Sequence, residues 1–237
     1  MRFFIAFFLL IQPLFSLTSQ CEQLVVSVTS SWTSSAANLY LYEKKDGKWV
    51  TKFGPWTVRI GRTGSAWGRG IQNNPSGVTL KKEGDHKSPA GVFSIGGAWG
   101  YADNIQKKKL LPYRKITPMD LWIEDSKSPY YNQHLVLKHL PKNSWEKKAQ
   151  MKQGDYAHSL KLFIAHNSHP KAVPNAGSAI FFHIWRGGGT RPTAGCTTMS
   201  EEKLKQLIAW IDPTKKPLYV LLPQAEYTAR RALWKLP

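Results

Sequence analysis

The stretch LYLYEKKDGKWVTKF, residues 39–53, decides the fold class because it has the pattern of two short strands joined by a tight turn. Apolar residues alternate with polar ones on both sides of the dipeptide Asp46-Gly47. This dipeptide favours a two-residue hairpin turn, in which both turn residues take positive φ. The sequence therefore predicts a β-hairpin over residues 39–53.

Further along the chain, other short runs are rich in β-branched and aromatic residues and are bounded by Gly, Pro, Asn or Ser, as strands are. They cover residues 23–29, 56–61, 91–97, 121–125, 134–140, 160–166, 178–185 and 217–223. So many short strand patterns predict a mainly β protein.

Helical periodicity is clear in one place, residues 200–212. Ser200 suits the N-cap, two glutamates follow in the first turn, four apolar residues share one face, and Pro213 ends the pattern. Weaker helical patterns cover residues 144–151 and 224–234. We expect one clear helix and up to two short ones.

A glycine-rich stretch, GRTGSAWGRG at residues 61–70, has a superficial likeness to a phosphate-binding loop. A nucleotide loop needs a following Lys-Ser/Thr pair and the start of a helix, and neither pattern follows here. The stretch is predicted to be a mobile loop without a nucleotide.

The first residues indicate export from the cytoplasm. Residues 1–19 combine one basic residue, Arg2, with an apolar run that is shorter than a membrane span and ends in small polar residues. We interpret them as a signal peptide, with an uncleaved anchor as the alternative. The mature chain, 20–237, is expected to be a single domain without a transmembrane span, in the periplasm or cell envelope.

The chain is strongly basic. It carries 33 Lys and Arg against 15 Asp and Glu, a formal charge of +18, and these bases are scattered along the sequence. Such a field attracts polyanions, which for an exported protein are anionic envelope polymers and lipids. A solvated basic surface is an equally good interpretation, and no nucleic-acid-binding motif is present, so nucleic acid is not an expected partner.

Cys196 and His183 are the candidate catalytic pair. A thiol with an ordinary pKa is mostly protonated at neutral pH, so a nucleophilic cysteine needs a nearby base. His183 ends an apolar strand pattern, and the glycines Gly187–Gly189 allow the chain to fold back towards Cys196. The backbone N–H groups of Gly195 and Cys196 could then form an oxyanion hole.

Other interpretations of Cys196 remain open. It could be a buried apolar residue, or its thiol could be consumed in a disulfide with Cys21. A metal site would use His166, His169, His183 and Cys196, but residues three apart on a strand lie on opposite faces and no recurring ligand pair completes the set. We expect neither a metal nor another cofactor.

The segments GSAIFFHIW (177–185) and PTAGCTTMS (192–200) resemble the histidine and Ser/Thr-x-Gly-Cys motifs of the L,D-transpeptidase (YkuD-like) catalytic domain family. GDHKSPAGVFSIG (84–96) is similar to that family's Thr/Ser-Pro-x-Gly-x-Phe stretch, so the resemblance covers roughly residues 80–223. It implies a mixed β-sandwich or β-barrel-like catalytic domain with one or two short helices.

By the same resemblance, Cys196 is the nucleophile and His183 its base, with the Gly195 and Cys196 amides in the oxyanion hole. Thr193 stands where many members have serine, and Thr198 stands where many have an arginine. The resemblance therefore leaves carboxylate recognition open. The predicted substrate-binding residues are Thr193 and the two arginines of the adjoining loop, Arg186 and Arg191.

The reaction that the resemblance implies begins with attack on the amide between the diamino acid at position three and D-alanine at position four of a peptidoglycan stem peptide. A thioester forms and D-alanine leaves. A second stem peptide's amine then gives a 3→3 crosslink, a step of cell-wall biogenesis that affects cell shape, whereas water would make the enzyme an L,D-carboxypeptidase.

A hypothesis of another class is a non-catalytic protein that binds envelope polymers through its basic surface and exposed tryptophans. The tryptophans expected to be exposed are Trp32, Trp49, Trp67 and Trp99.

Overall fold

The structure is a computed structural model that describes residues 18, 20–168 and 172–237. Apart from Thr18, the predicted signal peptide lies outside the described residues, and so does His169. In the part of the chain that is described, no helix is both long and apolar enough to cross a membrane.

The described residues form twelve strands, three α-helices and three short 3₁₀ turns. The strands are β1 Gln23–Thr29, β2 Ala36–Lys45, β3 Lys48–Arg59, β4 Ser65–Trp67, β5 Ser88–Gly100, β6 Tyr113–Lys115, β7 Asp120–Trp122, β8 His134–Val136, β9 Leu160–Ile164, β10 Phe181–Ile184, β11 Thr197–Met199 and β12 Leu218–Pro223. The helices are α1 Ser144–Lys148, α2 Glu201–Trp210 and α3 Gln224–Arg230, and the 3₁₀ turns are Tyr156–His158, Gly187–Gly189 and Pro213–Lys215.

Ten strands form one mixed sheet in the order β12-β1-β2-β3-β11-β10-β9-β5-β4, with β6 paired to β5. Because β12 also pairs with β5, the sheet closes on itself. The pairs β1–β12 and β10–β11 are parallel, whereas β2–β3 and β9–β10 are antiparallel. The mainly β, barrel-like fold class is confirmed, and β7 and β8 form a separate two-stranded sheet.

The hairpin predicted from the opening stretch is present. Lys45 of β2 pairs with Lys48 of β3, and the two turn residues have positive φ, 50° at Asp46 and 75° at Gly47. The alternating pattern and the turn dipeptide therefore set this part of the sheet locally.

The predicted helix at 200–212 is also present as α2. The Ser200 side chain accepts a hydrogen bond from the Lys203 N–H at 3.4 Å, and the apolar face, with Leu204 and Leu207, is buried against the sheet. The weaker patterns gave the shorter helices α1 and α3.

The core lies inside the closed sheet and fixes which way β10 faces. Phe182 packs edge-on against Tyr219 with ring centroids 4.6 Å apart, and Ile184 belongs to the same buried cluster. Since side chains alternate along a strand, Phe181 and His183 lie on the opposite face of β10. That face carries the candidate site.

Two expectations were wrong. The stretch 61–70 contains the buried strand β4, which pairs in parallel with β5, so it is an integral part of the structure rather than a mobile loop. Short strands such as β4 carry too few residues for an alternating pattern to show.

The tryptophans that were expected to be exposed are not exposed. Trp67 is buried against Trp32, and Trp49 and Trp99 are partly buried.

We predict that Gly64→Ala destabilises the fold far more than Gly77→Ala. Both glycines have left-handed φ, +86° and +73°, but a Cβ at Gly64 would overlap the backbone of Trp32, whereas a Cβ at Gly77 meets nothing within 4 Å. Denaturant unfolding should give a loss of about 1 kcal/mol for Gly77→Ala and a clearly larger loss for Gly64→Ala. Equal losses would mean that residues 61–70 are not packed as described.

Candidate active site

Parallel pairing of β10 and β11 brings His183 and Cys196 to one face of the sheet. Cys196 immediately precedes β11, and His183 pairs with Thr198. Because alternate residues share a face, Cys196 and Thr198 lie on the same side as His183. Cys196 is therefore a diagonal neighbour of His183 on that face.

His183 and Cys196 line the same cavity, whose volume is about 310 Å³. The wall also contains several titratable side chains, namely Lys81, Glu83, His86, Glu124, His158 and Lys161. The structure thus brings the predicted nucleophile and base together in a pocket of mixed charge.

The loop before Cys196 is held by hydrogen bonds from two hydroxyl groups. The Thr193 hydroxyl donates to the Cys196 carbonyl at 2.7 Å and accepts from the Gly195 N–H at 3.0 Å. The Ser88 hydroxyl donates to the Gly195 carbonyl at 2.6 Å. Gly195 has a φ of 150°, and a Cβ there would come within 3.0 Å of the Lys87 carbonyl, so only glycine fits.

These bonds bear on two predicted roles. Both hydrogen bonds of the Thr193 hydroxyl are made within the loop, so Thr193 positions the backbone of Gly195 and Cys196. An oxyanion role for the Gly195 N–H would require that its bond to Thr193 be shared or released. Among the described residues, no acceptor engages the Cys196 N–H.

The Cys196 thiol is neutral at rest. The half-buried Sγ donates to the Ala179 carbonyl at 3.4 Å and accepts from the Phe181 N–H at 3.4 Å. Burial raises the pKa of this thiol to about 11, although the Phe181 N–H and the Lys161 charge act in the opposite direction. Both cysteines are free thiols, so the alternative of a disulfide with Cys21 is wrong.

His183 is held in the tautomer that a general base needs. Its Nδ1–H donates to the Ile184 carbonyl at 2.9 Å, which leaves the lone pair on Nε2. Burial, together with the neighbouring His158, lowers the pKa of His183 to about 3, so the ring is neutral. The group that fixes the orientation of His183 is thus a backbone carbonyl and not a carboxylate.

A second imidazole packs against the first. The His158 ring lies 4.7 Å from the His183 ring, and its Nδ1–H donates to Asp155 at 2.8 Å. Asp155 also pairs with Arg186. Burial opposes ionisation of Asp155, but its bonds to Arg186 and His158 outweigh burial and hold its pKa at about 2. Arg186 and Asp155 thus hold the His158 ring in place against the His183 ring.

The predicted substrate-binding arginines lie outside the cavity wall. Arg186 is engaged by Asp155, and Arg191 is exposed in the loop. Thr198, at the place of the family arginine, is buried and donates to the Arg59 carbonyl at 3.4 Å. The expectation that loop arginines contact the substrate therefore finds no support in their positions.

Sequence reasoning missed Lys161, which is buried in the cavity wall and pairs directly with His183 across β9 and β10. A signal was present, since a lysine interrupts the otherwise apolar run LKLFI of residues 160–164. His158 was missed too, because its contact with His183 arises only from tertiary packing.

The metal-site interpretation does not match the geometry. His166 accepts from the Arg69 N–H at 3.2 Å through Nδ1 and donates to the Ala176 carbonyl at 2.9 Å through Nε2, so both ring nitrogens are occupied. Across the described ranges, no cluster of three or more His, Cys, Asp and Glu side chains could hold a metal ion. His166 is a buried structural imidazole.

We predict acid sensitivity from the two buried imidazoles. Burial lowers the pKa of His166 and of His183 from 6.5 to about 3, so their contribution to stability is full above pH 6.5 and is lost as the pH falls towards 3. Between pH 6.5 and about 3, each of the two histidines should lower the free energy of unfolding by about 1.4 kcal/mol for every pH unit that the pH falls.

Denaturant unfolding at pH 7 and pH 5 would measure this slope. His166→Gln, whose amide can replace both hydrogen bonds, should lower the slope by one imidazole's share. A slope unaffected by His166→Gln would contradict the assignment.

We also predict slow alkylation of Cys196 at neutral pH. With a pKa of about 11, its thiolate fraction at pH 7 is roughly 300-fold below that of an ordinary cysteine. The iodoacetamide rate at Cys196, followed by peptide mass spectrometry that separates it from Cys21, should rise about tenfold per pH unit from pH 7 to 10. A plateau between pH 6 and 9 would instead reveal a stabilised thiolate.

Comparison with known proteins gives one family match. The YkuD family, the L,D-transpeptidase catalytic domain, matches residues 29–220. No curated protein matches the chain significantly. One solved structure that is similar to it is the helical cell shape determining protein Pgp2 from Campylobacter jejuni, at 16% identity and a TM-score of 0.39. The similarity covers 85% of this chain and 47% of the other, so the chain spans about half that protein's length. Since the family match covers most of the chain, this protein belongs to the L,D-transpeptidase catalytic domain family of peptidoglycan enzymes.

Proposed function

We propose that the protein is a cysteine acyltransferase that acts on peptidoglycan stem peptides, with Cys196 as nucleophile and His183 as general base. The observation that carries this proposal is the tautomer of His183. Its Nδ1–H is held by the Ile184 carbonyl, so the basic Nε2 remains for the thiol that shares its cavity. Family membership supports the substrate class.

In the first half-reaction, the Cys196 Sγ attacks the carbonyl carbon of the diamino acid while its proton passes to His183 Nε2. The carbonyl oxygen becomes an oxyanion, for which the Cys196 N–H is the proposed donor. The C–N bond then breaks, His183 returns its proton to the leaving nitrogen, and D-alanine departs. The product is a thioester on Cys196.

In the second half-reaction, the amine of another stem peptide attacks the thioester carbon. Its proton passes through His183 to the departing sulfur, which regenerates the thiol and gives the 3→3 crosslink. Water in place of the amine gives a trimmed tripeptide, the L,D-carboxypeptidase alternative. The outcome depends on whether an acceptor peptide occupies the cavity before water does.

The charge state of the pair sets the timing of the first step. Burial makes the imidazolium–thiolate pair unfavourable at rest, because it lowers the pKa of His183 and raises that of Cys196. We therefore propose that the proton moves as the sulfur attacks, when the new negative charge is on the carbonyl oxygen. The resting protein is protected from alkylation and oxidation by the same effect.

Binding of envelope polymers without catalysis remains the competing function. The charge of +18 favours anionic polymers, and such binding would not depend on the thiol. Export to the periplasm or cell envelope is part of our proposal, since stem peptides are assembled into the wall outside the cytoplasm.

We predict that the purified protein releases D-alanine from tetrapeptide muropeptides and that Cys196→Ala and His183→Ala each abolish release, because either change removes a group required for the thioester. Chromatography with mass spectrometry would measure D-alanine and the peptide products. Cys21→Ala, which removes the other thiol, is the matched control and should retain release.

Release that persists in Cys196→Ala would refute the nucleophile assignment. With defined donor and acceptor stems, a crosslinked dimer identifies the transpeptidase and a tripeptide alone identifies the carboxypeptidase. A protein that binds wall polymers equally well with and without Cys196, and releases nothing, would be the non-catalytic alternative.

A further inference from the structure

We propose that Lys161 binds the α-carboxylate of the amino acid that leaves, so that the site selects a scissile bond followed by one free C-terminal residue. This inference rests on the proposed function and adds to it the residue that recognises the leaving amino acid. It assigns the contact to a side chain on β9 that lines the cavity, whereas Arg186 and Arg191 are exposed in the loop.

The position of Lys161 follows from the sheet. His183 pairs with Lys161 on β9 and with Thr198 on β11, so the three side chains form a row on one face. Directly opposite residues have Cβ atoms about 5 Å apart. Lys161 and Cys196 therefore flank His183 from its two neighbouring strands, and all three line the cavity.

The ammonium group of Lys161 is buried, and the carboxylates that act on it, Asp155 and Glu124, lie beyond ion-pairing distance. The residue is only 4% exposed, and its Nζ donates to the Met151 carbonyl at 3.2 Å and lies 5.8 Å from the centre of the Phe181 ring. An ammonium has three donors, and Lys161 forms no ion pair within the described part of the chain. Lys81, the other buried lysine of the cavity, is paired with Asp85 at 2.5 Å.

A buried cation without an ion-pair partner favours an anionic ligand, because pairing offsets the free energy lost by removing the charge from water. Burial lowers the pKa of Lys161 to about 8, while the charges of Asp155 and Glu124 act to raise it, as would the Cys196 sulfur if it were ionised. In most molecules the Lys161 side chain is therefore protonated at neutral pH. It can offer two further N–H donors to a carboxylate.

The chemistry of the leaving group indicates which carboxylate this is. His183 must deliver its proton to the leaving nitrogen, so that nitrogen lies beside His183 in the transition state. In an amino acid, the carboxyl carbon is two bonds from the nitrogen. A cation directly across the strand pair from His183 is therefore placed for the α-carboxylate of the leaving residue.

The carboxylate could also come from the side chain of the diamino acid, and the test separates these two sources. Three synthetic stem tetrapeptides are needed: the free acid, the same peptide with a C-terminal carboxamide, and the same peptide with the diamino-acid side-chain carboxyl as its amide. Affinity is measured by titration calorimetry with the Cys196→Ala protein, so that no turnover occurs.

We expect the free acid to bind at least about tenfold more tightly than the C-terminal carboxamide, as for a hydrogen-bonded charge. In Cys196→Ala/Lys161→Met this ratio should fall to about twofold or less, and Lys161→Arg should restore part of it. Lys81→Met is the matched control: it removes a buried lysine from the same cavity and should keep the ratio. Thermal unfolding of each variant would establish that it is folded.

The inference is overturned if the free acid and the C-terminal carboxamide bind equally to the Cys196→Ala protein, in which Lys161 is retained. It is also overturned if the ratio of their affinities is unchanged in Cys196→Ala/Lys161→Met. It is equally overturned if Lys161→Met changes discrimination only against the side-chain amide. Turnover by the unmutated protein separates these failures from that of the proposed function. Equal release of D-alanine and D-alaninamide would contradict the role of Lys161 but not the acyltransferase function. Release from none of the peptides would contradict both proposals.

Discussion

The candidate site depends on one feature of the sheet, the short parallel pairing between β10 and β11. The residue opposite His183 is Thr198, and strand alternation then places Cys196 on the face of His183. Shifting this register by one residue would turn the sulfur towards the core, where Thr197 now bonds Tyr219 at 2.9 Å. The pair of reacting groups is thus a consequence of register.

The upstream motif SPAGVF, residues 88–93, supports this register from a distance. The Ser88 hydroxyl accepts from the Gly61 N–H at 2.9 Å and donates to the Gly195 carbonyl at 2.6 Å, so it joins the buried glycine-rich stretch to the loop before Cys196. Phe93, at the other end of the motif, is fully buried in the core. The motif therefore has a structural role: Phe93 fixes β5 in the core, and Ser88 holds the loop before Cys196 against β5.

Burial has opposite effects on the two reacting groups and so gives the site its resting state. It lowers the pKa of the His183 imidazole and raises that of the Cys196 thiol, which keeps both neutral. The Ile184 carbonyl selects the tautomer, and the His158 ring, held by Asp155, packs against His183. Orientation of His183 therefore comes from a neutral hydrogen bond to the backbone and from packing against His158, which the ionised Asp155 holds in turn. The charged lysines lie in the surrounding wall.

The sequence alone determined the features that depend on neighbouring residues. The hairpin at Asp46-Gly47, helix α2 after Ser200 and most of the longer strands follow from turn chemistry, capping and periodicity, and the mainly β class follows from these. The motifs also identified Cys196 and His183 as the pair to examine. Only the tertiary structure showed that Lys161 lies across from His183, that Arg186 pairs with Asp155, and that residues 61–70 contain a buried strand. Those contacts join segments that are far apart in the chain, and their register is set by closure of the sheet, which no local pattern encodes.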